Sequence, residues 1–154
     1  MLDKDKLKEV VENALAETEA FLVEITVTPA NEVEVTIDSP EGIDIEMCVW
    51  LTRRIEEQFD RDAEDYELTV GSAGVTAPFT VPQQYFMNIG NEVTVLTGDS
   101  RKLHGVLTEV ADDLSRIVVE VPSKVKEPGA KRPVLKKLPV ELTPENIRRI
   151  EREI

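Results

Sequence analysis

The amino-acid sequence predicts an α+β fold in which a three-stranded sheet with two helices on one face is followed by a small β-barrel. Three observations lead there. Residues 1–70 alternate between helical and strand periodicity, a stretch of small residues and prolines interrupts the pattern at 71–82, and the remainder holds short strand-like runs close together. The chain has 154 residues, 41% apolar and 32% charged, and a chain of this length buries roughly 68–70% of the surface it exposes when unfolded. A packed core is therefore within reach.

Leu7, Val10, Val11, Ala14 and Leu15 repeat at helical spacing, with Lys6, Lys8, Glu9, Glu12 and Asn13 between them. This is an amphipathic helix. Phe21, Val23, Ile25 and Val27 alternate with Leu22, Glu24 and Thr26, and Val33, Val35 and Ile37 alternate with Glu34 and Thr36 beyond a Pro29-Ala30-Asn31 turn. They predict a hairpin with one buried face. After the break at Asp38-Ser39-Pro40-Glu41-Gly42, residues Cys48, Leu51, Thr52, Ile55 and Phe59 mark a second helix with Asp44 placed to cap it, and Tyr66, Leu68 and Val70 mark a third strand. The Asp60–Asp65 stretch has oxygens at the alternate positions of a calcium loop. It lacks the glycine at the sixth position and the glutamate at the twelfth, so a solvated loop is expected.

The segment 71–82 stops the third strand, which places domain boundaries at 1–77 and 83–154 with a linker at 78–82. Gln83 to Ile89 predicts a short helix ended by Gly90 in a left-handed conformation. Val93–Leu96, Leu103–Val110, Ile117–Val121 and Leu138–Leu142 predict strands, with Gly105 where a long strand bends. Closure of such a small sheet removes exposed edges, which is the reason for expecting a barrel. Between Pro122 and Pro139 stand Lys124, Lys126, Lys131, Arg132, Lys136 and Lys137 against Glu127 alone, so 122–139 is expected to be a basic loop. Thr143-Pro144-Glu145 predicts the cap and first position of a short C-terminal helix carrying Arg148, Arg149 and Arg152.

Charge divides the chain. Residues 1–77 hold 20 acidic and 6 basic residues, a net of −14, whereas 78–154 hold 11 acidic and 12 basic, a net of +1. Such asymmetry suggests that the first half meets a cationic partner and the second a polyanion, the basic loop lying along a phosphate backbone. The plainer readings are a solubilising acidic surface and a solvated loop. No aromatics interleave with the cations, so base stacking is not expected. One cysteine, Cys48, cannot form an internal disulfide, and one histidine, His104, is too few for a zinc site or for a serine triad without a Gly-x-Ser-x-Gly elbow. Core cysteine and strand histidine are expected. An enzyme would have to work through a metal held near Asp38, Asp60 and Asp62, and no metal or cofactor is expected. No run approaches the ~20 apolar residues of a membrane span, and the first residues lack the apolar middle of a secretory signal. A cytoplasmic monomer is expected.

Val35-Thr36-Ile37-Asp38, Gly42-Ile43-Asp44-Ile45 with Cys48, and Tyr66 through Gly74 followed by Pro78-Phe79 together resemble the ribosome maturation factor RimP family. The resemblance continues through Gly90-Asn91-Glu92-Val93-Thr94-Val95 and Lys102-Leu103-His104-Gly105-Val106-Leu107. It implies an N-terminal α/β domain and an Sm-like or SH3-like barrel in a non-enzymatic factor. Such a factor binds the immature small (30S) ribosomal subunit, in association with small-subunit ribosomal protein twelve and 16S ribosomal RNA. On that view the acidic half, with Asp38, Glu41 and Asp44, holds the basic ribosomal protein, and the basic loop touches RNA. The alternative is a free-standing Sm-like RNA-binding module. Ser72, Gly74 and Pro78 match the family's interdomain stretch, which closes here on Phe79 in place of leucine, and glycine and proline suit a fixed turn there. Thr76 and Ala77 replace that stretch's aspartate and arginine, so no role of that charged pair carries over.

Overall fold

A computed structural model describes residues 1–74, 76–129 and 131–153. The chain divides into two compact units, Met1–Gly74 and Val75–Ile154. In the first, α1 (Lys4–Leu15) starts where the Asp3 carboxylate accepts the backbone N–H groups of Asp5 at 2.9 Å and Lys6 at 3.4 Å. β1 (Phe21–Val27) and β2 (Glu32–Asp38) form an antiparallel hairpin, α2 (Ile45–Gln58) crosses over, and β3 (Glu67–Ser72) returns parallel to β2. The sheet order is β1-β2-β3. Leu7, Val11 and Leu15 of α1 and Leu51 and Ile55 of α2 share one buried cluster with Ile25, Val33, Val35 and Ile37, so both helices cover the same sheet face.

The inward face of β1 differs from the alternation expected for it. Leu22 pairs with Ile37 and Glu24 with Thr36, leaving Val23 as a bulge. One extra residue reverses the side-chain phase, so Leu22, Ile25 and Val27 meet the core, and Phe21 and Val23 do not. Cys48 of α2 is half-buried rather than fully inside the core as expected.

The second unit contains α3 (Pro82–Met87), β4 (Glu92–Thr97), β5 (Lys102–Val110), β6 (Ile117–Val125), β7 (Val134–Leu142) and β8 (Ile147–Arg152). All pairings are antiparallel, in the order β7-β6-β5-β4-β8. The sheet does not close into the expected barrel, since β7 and β8 remain edges. It is nevertheless drawn tightly over its core at Gly105, where an added Cβ would collide with the Glu120 backbone carbonyl and sit 2.9 Å from Val119 Cγ1. Val93, Val95, Leu107, Ile117, Val119 and Ile150 fill the concave side, against which Phe79 and Tyr85 pack. Gly90, with φ +95°, follows the short helix as expected.

Two further expectations give way. The tail is a strand preceded by a single 3₁₀ turn, Pro144–Asn146, rather than a helix. Leu96 pairs with Arg149 and Thr97 with Ile147, so Arg148 is bulged and the isoleucines three apart both face the core. That spacing is what imitated a helix. The basic loop is also mostly strand, because β6 runs to Val125 and β7 begins at Val134. Pro122 and Pro139 sit where their strands have an open edge, the positions at which a missing N–H is tolerated.

Candidate functional site

Asp38 ends β2, and Glu41 and Asp44 follow on the link to α2. Two of them also serve the backbone: Asp38 Oδ1 accepts the Ser39 N–H at 2.8 Å, and Asp44 Oδ1 accepts the Met47 N–H at 2.8 Å as the cap of α2. Glu41 is exposed, its own N–H held 3.3 Å from Ser39 Oγ. Asp60 and Asp62 belong to a separate turn in which Asp60 Oδ1 accepts the Asp62 N–H at 2.9 Å. Among the described residues, no group of three or more His, Cys, Asp or Glu side chains is arranged to hold an ion.

All six candidate cations are exposed. β5 pairs with β6 only over Ile117–Glu120, so Val121–Val125 and Val134–Leu138 continue beyond it as a two-stranded ribbon. Directly opposed residues share a face. Val121 with Leu138, Ser123 with Lys136, and Val125 with Val134 line the side that continues the core, and Pro122 with Lys137 and Lys124 with Leu135 line the other. Lys126, Lys131 and Arg132 fall between β6 and β7, and Lys136 forms an ion pair with Glu127. The ribbon also exposes Val134, Leu135 and Leu138.

Ser72 ends β3, and Ala73 N–H donates to Ile37 O at 3.0 Å. The matched stretch then passes through Val75, which lies outside the described residues. Pro78 is exposed, and Phe79 is seated in the second unit: its N–H donates to Ile150 O at 2.8 Å, and its ring meets Tyr85 edge-on at 5.3 Å. Burial pushes the Tyr85 phenol above its ordinary pKa.

Several polar contacts had no signal in the sequence, those of His104 and Arg116 because strand order creates them. His104 Nδ1 lies 3.2 Å from Glu153 Oε2 and 3.3 Å from Thr94 Oγ1, across β5, β4 and the end of β8. Arg116 bridges Glu109 at 2.5 Å and Glu141 at 2.9 Å, and its hydrogen bonds to these carboxylates raise its pKa. Buried Gln84 accepts the N–H groups of Thr80 at 2.6 Å and Val81 at 3.2 Å, and Asn88 donates to Gln84 O at 2.7 Å. Among the described residues no helix is long and apolar enough to cross a membrane.

Residues 10–76 match the model of the RimP N-terminal domain. Across more of the chain, it is 43% identical over 132 residues to a protein named ribosome maturation factor RimP from Porphyromonas gingivalis, covering 86% of each chain. It is 34% identical over 113 residues to the protein so named from Flavobacterium psychrophilum, covering 73% of each. The like-named protein of Pelodictyon phaeoclathratiforme is 28% identical over 148 residues, with 82% of this chain and 86% of that one covered.

Proposed function

This chain belongs to the ribosome maturation factor RimP family, and from that membership we infer that it is a non-enzymatic assembly factor acting in the cytoplasm on the immature small (30S) ribosomal subunit. The observation that carries the reading is the 43% identity to a protein of that name across 86% of the chain. The charge division supports a physical form of it. The first unit, strongly acidic, holds a lysine- and arginine-rich ribosomal protein, small-subunit ribosomal protein twelve, and the β6–β7 ribbon approaches 16S ribosomal RNA. A protein cation is attracted and guided by the one surface, while each ribbon cation that reaches a phosphate releases condensed counterions. Neither contact requires a reacting group.

Co-sedimentation with precursor small subunits tests this. At low salt, where exposed charges attract most strongly, the protein should move into the heavy fractions and leave them as salt is raised. Retention in the light fractions at low salt would end the reading. Tight binding to free RNA, with no preference for precursor subunits and no binding of ribosomal protein twelve, would replace it with an independent RNA-binding module.

A further inference from the structure

Trp50 is the chain's one tryptophan, and it stands between two hollows of the first unit. The larger, about 560 Å³, runs between α1 and α2 over Val10, Ala14 and Trp50, with Glu17 and Glu57 also lining it. Spacing builds it: Val10 and Ala14 are four apart on α1, and Trp50, Arg54 and Glu57 are four and then three apart on α2, so each set forms a stripe. The smaller and more open hollow, about 310 Å³, is lined by Thr18, Asp44, Glu46, Met47 and Trp50.

The two hollows carry four carboxylates, Glu17, Asp44, Glu46 and Glu57, against one cation, Arg54. The Arg54 guanidinium lies 5.6 Å from the Trp50 ring centroid and 4.0 Å from the Glu57 carboxylate. Apolar ground bounded by carboxylates suits side chains with aliphatic stems and cationic heads, and an indole face attracts a guanidinium. The same carboxylates repel a nucleic acid. A second copy of this chain, with net charge −13, is disfavoured as well. We propose that the Trp50 face of α2 is the docking surface for a lysine- and arginine-rich segment of a partner protein. Its stems lie in the two hollows on Trp50, Val10 and Met47, and its charges face Glu17, Asp44, Glu46 and Glu57. This rests on the reading that the acidic unit holds a basic ribosomal protein, and it extends the contact from the 38–44 link onto the adjoining helix.

Because the tryptophan is unique and sits at the surface in question, its emission reports occupancy. The full chain is titrated with purified small-subunit ribosomal protein twelve, first unchanged and then carrying Glu17→Lys with Glu57→Lys, two exposed changes whose folding is checked by circular dichroism. The expected result is a saturable change in Trp50 emission and about tenfold weaker binding by the charge-reversed chain. A companion with Lys131, Arg132, Lys136 and Lys137 changed to Glu should bind the protein no more weakly. Equal affinity of the Glu17→Lys/Glu57→Lys chain with silent Trp50 emission overturns this surface and leaves the assembly-factor reading standing. No binding by the unchanged chain removes both this surface and its protein partner, and co-sedimentation then decides separately whether the subunit is still recognised.

Discussion

The two units expose their charges on different kinds of support. In the first, the carboxylates sit on helices and links clamped to one core: Asp44 caps α2, and Glu57 lies one turn beyond Arg54 on it. In the second, the strongest run of cations stands on a ribbon that has outrun its neighbouring strand and contributes little to the core. A surface rigidly tied to packing presents one shape to a partner. A projecting ribbon can be altered without disturbing the sheet from which it extends. Binding and stability should therefore separate cleanly in the second unit, and the separation can be attacked from either side.

The largest effect is expected at Gly105. Gly105→Val places a side chain against the Glu120 backbone, which cannot withdraw as a flexible side chain would, and should destabilise the second unit by about 3 kcal/mol or more. Urea unfolding followed by NMR should show second-unit resonances disappearing first while first-unit resonances persist. Joint disappearance of both sets would contradict separate cores. In the first unit, Leu51→Ala leaves a cavity in a fully buried site and should cost about 2–5 kcal/mol, read as a lower urea midpoint.

Changing Lys131, Arg132, Lys136 and Lys137 to Glu tests the opposite case. Unfolding should move by no more than about 0.5 kcal/mol, since these side chains are exposed and away from the core. Binding to precursor subunits should weaken, and its logarithmic salt dependence should flatten by about 0.7–0.9 for each phosphate that the ribbon no longer neutralises. A salt slope equal to that of the unchanged chain would remove the ribbon from the RNA interface.

The smallest effect is in acid. The Thr97 hydroxyl, with Arg101 nearby, holds the Asp99 carboxyl below its ordinary pKa, and hydrogen bonds from Ser115 do the same for Asp113. A carboxylate with a lowered folded-state pKa stabilises the fold above its unfolded value, and that contribution is lost as pH falls through the lowered one. Both turns of the second unit should therefore hold at neutral pH and loosen only below the usual carboxylate range. Carboxyl chemical shifts followed by NMR check this, and midpoints at or above ordinary aspartate values would refute it.

Much of the first unit could be read from periodicity because its helices and β2 keep a single phase from end to end. The failures occur where a phase is broken by one residue. Val23 and Arg148 are both bulges, and sequence patterns carry no mark of a residue that has stepped out of the ladder. In the second unit, the run of cations between Pro122 and Pro139 suggested a loop, yet β6 and β7 run through most of it, with both prolines where an open edge tolerates them. The candidate cations were legible as a cluster but their support was not. The partners of His104 and Arg116 required knowledge of strand order, and Trp50 stood out only once α1 and α2 had been laid side by side.

β7 carries a liability of its own. It is an unpaired edge displaying Val134, Leu135 and Leu138, a surface on which another β-strand could add and start a growing stack. Lys136 and Lys137, set among these apolar residues, impose mutual repulsion on any such addition. Acylation of these amines would remove that protection, leaving a sticky margin where a charged one had been. The residues proposed to face RNA thus also set like charges along an open edge of the sheet.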